Sequence, residues 1–274
     1  MRPHRSLIAV VALAASLLIL GSTVAAAVPP VPSSMSGLGD SITRAFNACG
    51  WFFDCTSRSW STGSYSSVNS HYRRILAINP AISGRNYNDA RSGARMVDLN
   101  GQAQTAVGRG VQYVTVLMGA NDVCTSSEST MTSVTTFRTH FQQAMTTLTG
   151  GLPNAAIFVS SIPRIKRLWE IGKDNSSARN AWSGFGICQS MLANQQSTAQ
   201  ADVDRRNRVD QRNIDFNSQL AEVCAQYVNC KYDNNAVFNY PFVLSHVSTW
   251  DYFHPNTSGQ AVLASVSYAN GFNW

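Results

Sequence analysis

Val111-Gln-Tyr-Val-Thr-Val-Leu-Met118, followed at once by Gly119-Ala120-Asn121-Asp122, is the stretch from which the fold of this chain is read. Its residues are β-branched or apolar almost throughout, and a run of that kind is a strand covered on both faces, as in a parallel sheet. Downstream, Met131, Val134, Phe137, Phe141, Met145 and Leu148 recur three or four apart and predict a helix over 129–148. Ala155 to Ser160 reads as a second buried strand. Residues 190–228 are Pro-free and helical in pattern, with Ile214, Leu220, Val223 and Tyr227 as anchors. Val237 and Phe238 are expected in a short strand or extended segment. A last helix over 258–269 carries Val262, Leu263 and Val266.

Upstream, Ser36 to Gly39 is a poor strand by composition, helped only by Met35 and Leu38. Residues 42–66 are rich in Gly, Ser, Thr and aromatics and read as loop. Val68, Tyr72, Ile75, Leu76 and Ile78 predict a helix over 68–78 that Pro80 ends. Strands alternating with helices predict an α/β fold, a three-layer α/β/α sandwich around a mainly parallel sheet. No internal repeat and no linker follow Pro32, so residues 35–274 are expected to form one domain behind a Pro-rich leader, 28–34.

The 274 residues are 44% hydrophobic, enough for a sizeable core, and only 13% charged. That excludes an acidic disordered segment or a coiled coil. Arg2 and Arg5, an apolar run from Leu7 to Gly21, and Ala25, Ala26 and Ala27 have the order of a secretory signal peptide, with cleavage expected near Ala27. The run is too short to span a bilayer comfortably, so no transmembrane segment is expected in the mature chain. The formal charge of +6 falls to +4 without Arg2 and Arg5. The densest basic group is Arg205, Arg206, Arg208 and Arg212. It alternates with Asp202, Asp204, Asp210 and Asp215, which reads as a solvated helix face and not a nucleic-acid track.

All six Cys follow residue 27. An even count in a secreted chain predicts disulfides. Loop closure favours near neighbours, giving Cys49–Cys55 and Cys224–Cys230, and Cys124–Cys188 by elimination. Two distant pairs at i,i+6 fit zinc spacing poorly, so no metal is expected.

Four short blocks can carry chemistry. Gly39-Asp40-Ser41-Ile42 follows the first strand, where a Ser in the turn exposes its hydroxyl at the sheet's carboxyl edge. The same residues also make an ordinary turn. Asp251-Tyr252-Phe253-His254 offers a base with an acid three residues upstream, able to hold the imidazole tautomer. Among the other His after residue 27, His71 and His140 fall on predicted helices, and His246, the rival base, has no acid close by. Asn121 stands at a strand's carboxyl end, where its amide can face a developing oxyanion; its competing role is turn formation with Asp122. Gly93, in the small-residue loop 88–94, can supply a backbone N–H. Asp40 reads as a buried acceptor under the turn and not as a reacting group.

Together these strings resemble the SGNH hydrolases, the GDSL esterase/lipase family. Gly39-Asp40-Ser41 resembles its nucleophile block, and Gly93 its Gly block. Gly119-Ala120-Asn121-Asp122 resembles its Gly-x-Asn-Asp block, and Asp251-Tyr252-Phe253-His254 its Asp-x-x-His block. The order matches, and the resemblance runs from residue 35 to about 270. Arg58-Ser59-Trp60-Ser61-Thr62-Gly63 and Asn121-Asp122-Val123-Cys124 are similar to segments of phospholipase B-like members. Ile42 in place of Leu, Ala120 in place of Gly and Tyr252 in place of Cys depart from those patterns. The resemblance implies a five-stranded sheet, Ser41 as nucleophile, His254 as base and Asp251 as its orienter. It also implies an oxyanion hole from the Ser41 N–H, the Gly93 N–H and the Asn121 side chain, and no cofactor.

The expected activity is secreted, extracellular hydrolysis of lipid esters, glycerophospholipids first, with the protein a monomer. The lipid is met alone or at a membrane or micelle surface. Trp51, Phe52, Phe53, Trp60, Trp169, Trp182 and Phe185 are candidates to contact it unless the loops bury them, and Arg44, Arg58 and Arg164 are candidates to meet a phosphate. A triacylglycerol lipase or general carboxylesterase is the near alternative. A carbohydrate acetyl esterase needs a narrow polar acyl pocket, and a secreted binding module needs no convergence of Ser41, Asn121 and His254.

Overall fold

Five strands, β1 (Met35–Gly39), β2 (Asn86–Asn88), β3 (Tyr113–Leu117), β4 (Ala156–Val159) and β5 (Cys230–Tyr232), lie in the order β2-β1-β3-β4-β5, every pair parallel. This is a computed structural model, and it describes residues 28–274; the expected signal peptide, 1–27, lies outside the described residues. Among the described residues ten α-helices accompany the strands: α1 (His71–Ile78), α2 (Leu99–Arg109), α3 (Ala120–Val123), α4 (Val134–Gly151), α5 (Ile165–Gly172), α6 (Ser176–Gly184), α7 (Gln189–Leu192), α8 (Gln200–Cys224), α9 (Ala236–Asn239) and α10 (Thr257–Ala269).

The β1–β2 crossover runs toward one edge and the later crossovers toward the other. With right-handed connections this puts α1 on one face and α2, α4 and α8 on the opposite face. Packing agrees: α2 lies on α4 and α4 on α8. α1 meets α10 through the buried His71, which bonds Ser267 of α10 and Tyr113 of β3, each at 2.7 Å. Every residue of β1, β3 and β4 is buried, as strands covered on both faces require. α4 starts where the Ser133 hydroxyl accepts from Thr136 N–H and buries Phe137, Phe141, Ala144, Met145 and Leu148.

β1 owes its poor strand composition to crowding. A Cβ on Gly39 (φ +150°) would strike the Leu117 carbonyl of β3 and Thr43, and one on Gly37 would meet Ser61 and Thr62. The crossovers run to one side of β1 toward β2 and to the other side toward β3, and at such a switch point the carboxyl ends of the parallel strands open a crevice.

Three expectations are corrected. The helix over 190–228 is two helices. α7 ends at Leu192, Asn194 takes a left-handed φ of +49°, and α8 begins only at Gln200. Val237 and Phe238 lie in the single-turn helix α9, and the edge strand is Cys230–Tyr232. Of the α8 arginines only Arg208, paired with Glu128, is a solvated surface residue. Arg206 is buried and bonds the Ser197 carbonyl at 2.7 Å, Arg205 holds the carbonyls of Gln189, Ser190 and Ala193, and Arg212 holds that of Thr132. Arg205 and Arg206 thereby satisfy carbonyls that the interruption between α7 and α8 leaves open. Disulfides join Cys49 to Cys55, Cys124 to Cys188 and Cys224 to Cys230.

Candidate active site

Ser41 stands in the turn after β1, at the switch point, and the fold brings His254 and Asp251 to it. His254 Nε2 lies 2.8 Å from Ser41 Oγ, and His254 Nδ1 lies 2.6 Å from Asp251 Oδ2. Only 7% of Ser41 is exposed. The Asp251–His254 turn is held locally: the N–H groups of Phe253 and His254 donate to Asp251 Oδ1 at 2.9 and 3.1 Å. Tyr252 takes a φ of +54°, and its carbonyl accepts from the buried Trp182 indole at 2.8 Å. Burial pushes the Asp251 carboxyl up. The hydrogen bond and charge of His254 and the two backbone donors outweigh that and hold it below its usual value. An ionised Asp251 keeps the proton on Nδ1 and leaves Nε2 free to take one from Ser41.

Asn121, at the start of α3, donates from Nδ2 to the Ala94 carbonyl at 2.9 Å, so it sits beside the Gly93 loop. That uses one of its two amide protons. Among the described residues, neither the Ser41 N–H nor the Gly93 N–H has an acceptor within reach. Backbone N–H groups without an internal acceptor and a spare amide proton are the kind of donor an oxyanion uses.

Asp40 is fully buried. Its Oδ1 accepts from Ile42 N–H at 2.9 Å and its Oδ2 has no partner. Burial pushes its carboxyl up to about 7, against the Ile42 donor and the nearby His254. Asp122 is clamped by Thr132 and by Met96 N–H at 2.7 and 2.9 Å, which ties the segment after Gly93 to the end of β3. Its pKa is raised by burial. His246 lies at a separate short turn, away from Ser41, with Nδ1 accepting from Val243 N–H at 3.4 Å.

Three residues support the site without a signal that sequence reading found. Asn47 (φ +63°) donates to Asp251 Oδ2 at 2.6 Å. Gln102 brackets Gly39, accepting from its N–H at 2.8 Å and donating to its carbonyl at 2.9 Å. Gln260 joins the Trp60 N–H to the Ile42 carbonyl. Conversely, the arginines expected near phosphate are committed inside the protein. Arg44 pairs with Asp54, Arg58 holds the Ala48 carbonyl and Thr257, and Arg164 is bidentate on Asp210. Trp60 and Trp182 are core, and Trp169 is partly buried. Ser61 of the Ser-Trp-Ser segment bonds Thr115 at 2.5 Å, beneath the sheet.

An open trough of about 450 Å³ lies beside Ser41, walled by Asp251, His254, Asn121, Phe46, Phe52, Phe185 and Ile187 among others. The Cys124–Cys188 disulfide is part of its wall. Phe52 and Phe185 of its wall are exposed, as are Trp51, Phe53 and Trp250. Rings from three separate loops meet there: Trp51 and Trp250 at 5.2 Å, Phe52 and Trp250 at 5.5 Å, Phe52 and Phe185 at 5.7 Å.

The model of the GDSL-like lipase/acylhydrolase family matches residues 37–266, which takes in Ser41, Gly93, Asn121, Asp251 and His254. The chain belongs to this family. No curated protein matches it in sequence. A solved structure from Parabacteroides merdae, described as a GDSL-like lipase, is 15% identical with a TM-score of 0.50, over 86% of this chain and 94% of that one. A family two carbohydrate esterase from Clostridium thermocellum is 17% identical with a TM-score of 0.50, over 86% of this chain and 62% of that one. At these identities the likeness is one of fold. A phospholipase A1 from Streptomyces albidoflavus is 14% identical with a TM-score of 0.47, over 86% of this chain and 95% of that one. Among the described residues no helix is long and apolar enough to cross a membrane.

Proposed function

We propose that this acylhydrolase is a secreted, monomeric serine esterase that releases fatty acids from lipid esters, glycerophospholipids first, through an acyl-enzyme on Ser41. The observation that carries the reading is the chain of two short hydrogen bonds, Ser41 to His254 to Asp251, the last two of which line an aromatic trough. His254 takes the Ser41 proton as Oγ attacks the ester carbonyl. The oxyanion is received by the Ser41 and Gly93 N–H groups and the Asn121 amide. His254 then protonates the leaving alcohol, and water repeats the sequence on the acyl-enzyme. Three disulfides suit an oxidising extracellular setting. Convergence of the triad is nothing a binding module needs, and an aromatic trough is unlike the narrow polar pocket of an acetyl esterase.

A second reading, hydrolysis of neutral lipid, has its own support. The three arginines placed nearest to a phosphate role are all held by internal partners. The deciding experiment incubates the protein and its Ser41→Ala variant with phosphatidylcholine bearing two different acyl chains, with triacylglycerol and a short aryl ester in parallel. Mass spectrometry reads the products. Fatty acid from phosphatidylcholine that vanishes in Ser41→Ala is the expected result, and the chain released reports the position. Release from triacylglycerol alone moves the assignment to a lipase. No Ser41-dependent product from any of the three overturns the lipolytic reading.

A further inference from the structure

Across Phe253 from the trough lies a second, smaller cavity of about 70 Å³. Ile42, Ala120, Phe253 and Pro255 belong to its wall, so Ser41, Asn121 and His254 each have an immediate chain neighbour facing it. One face of α5 supplies Leu168 and Ile171. The charged residues that border it turn their polar ends elsewhere. Arg164 is on Asp210, Arg167 is on the Phe242 carbonyl at 2.9 Å and on Glu170, and His246 is on Val243 N–H. What faces the cavity is hydrocarbon. A sugar hydroxyl or a head group would lose its water there and find no partner. Of all the residues around the cavity and the trough, Phe253 alone lines both.

We infer that this slot takes an unbranched hydrocarbon arm of the ester substrate, with the Phe253 ring as the partition that sets how far the arm reaches. The inference rests on the ester-hydrolase reading and adds to it a place for the chain and a residue that measures its length. Each methylene that leaves water for the slot strengthens binding about fourfold. A longer arm is therefore favoured until it meets a wall.

The test compares the native protein, Phe253→Ala and Leu168→Trp on two ester families, one lengthening the acyl chain and the other the alcohol chain. The readout is the ratio of kcat/KM for long over short members. Phe253→Ala removes the partition and raises that ratio at least tenfold. Leu168→Trp fills the slot and lowers it by a similar factor. The family that responds identifies which arm enters. Because Phe253 also touches the His254 ring edge-on (centroids 5.0 Å apart), binding is read independently of turnover. Dodecanoate and butyrate are titrated calorimetrically into Ser41→Ala, with and without Leu168→Trp. A dodecanoate preference that Leu168→Trp abolishes supports the slot even if no ester is cleaved. Unchanged kinetic ratios in both families, with unchanged dodecanoate binding, overturn it whatever the enzyme hydrolyses.

Discussion

Asn121 shows how much one side chain has to do at this site. Its amide holds the Ala94 carbonyl with one proton and has one left, which the proposed mechanism gives to the oxyanion. Asn121→Ala is expected to lower kcat by about 10²–10³, the usual cost of one oxyanion donor, with KM little changed. Steady-state kinetics on a soluble ester checks it, and a loss confined to KM would move Asn121 out of the transition state and into ground-state binding. Ser41 and the Asp251–His254 pair, which the fold brings into hydrogen-bond contact, were legible because four short blocks stand in order along the chain, each of which alone also reads as an ordinary turn. Asn47, Gln102 and Gln260 were not. Asn47 meets Asp251 across 204 residues and Gln260 meets Trp60 across 200, so no local spacing announces either contact. Arg44, Arg58 and Arg164 misled for the same reason, since the partner that neutralises a charge is chosen by the fold.

Among the elements, long apolar ones were read and short polar ones were not. β3 and α4 bury a continuous stripe and declare it in their periodicity. β2 is Asn86-Tyr87-Asn88, three half-buried residues at the sheet's edge. It is held there by β1 and by its Asn side chains on Thr43 and Thr62. The pieces α5, α6 and α7 fold because Trp182, the Cys124–Cys188 disulfide and the α8 arginines pin them to the body. The helix layer of α1 and α10 carries a testable pH dependence. Burial, helped by Arg74, pushes the His71 imidazole down to about 3, so it stays neutral between Tyr113 and Ser267. In the unfolded chain the same imidazole takes a proton near 6.5. Between those values the unfolded state binds more protons, and His71 costs stability progressively as the pH falls below about 6.5. Asp40 acts in the opposite sense: its raised pKa costs stability as the pH climbs from about 4 to 7. Comparing the native chain with His71→Gln cancels Asp40. Urea midpoints at pH 7.5 and pH 5 should show the native protein losing ground to His71→Gln on acidification, and parallel shifts would mean that His71 is not buried neutral.

At the scale of the whole molecule, the charge is sparse and the apolar rings are gathered on one side. Trp51, Phe52 and Phe53 lie within the short loop that the Cys49–Cys55 disulfide closes, and Trp250 and Phe185 come from two other loops to meet them. Trp51 is 59% exposed and Phe185 61%. Such rings beside the trough are what the proposed lipid substrate, itself an apolar surface, would call for. Removing about half of one ring's surface from water is worth roughly 2 kcal/mol, or some thirtyfold in partitioning. The double variant Trp51→Ser/Phe185→Ser should therefore partition onto phosphatidylcholine vesicles far more weakly, read by cosedimentation. Its kcat/KM on an ester above the critical micelle concentration should fall more than tenfold. On the same ester dispersed as monomers it should fall much less, because Ser41, His254 and Asp251 keep their mutual hydrogen bonds without either ring. Equal losses on monomers and micelles would instead make these rings packing for the trough, and the lipid surface would no longer be needed to explain why they are exposed.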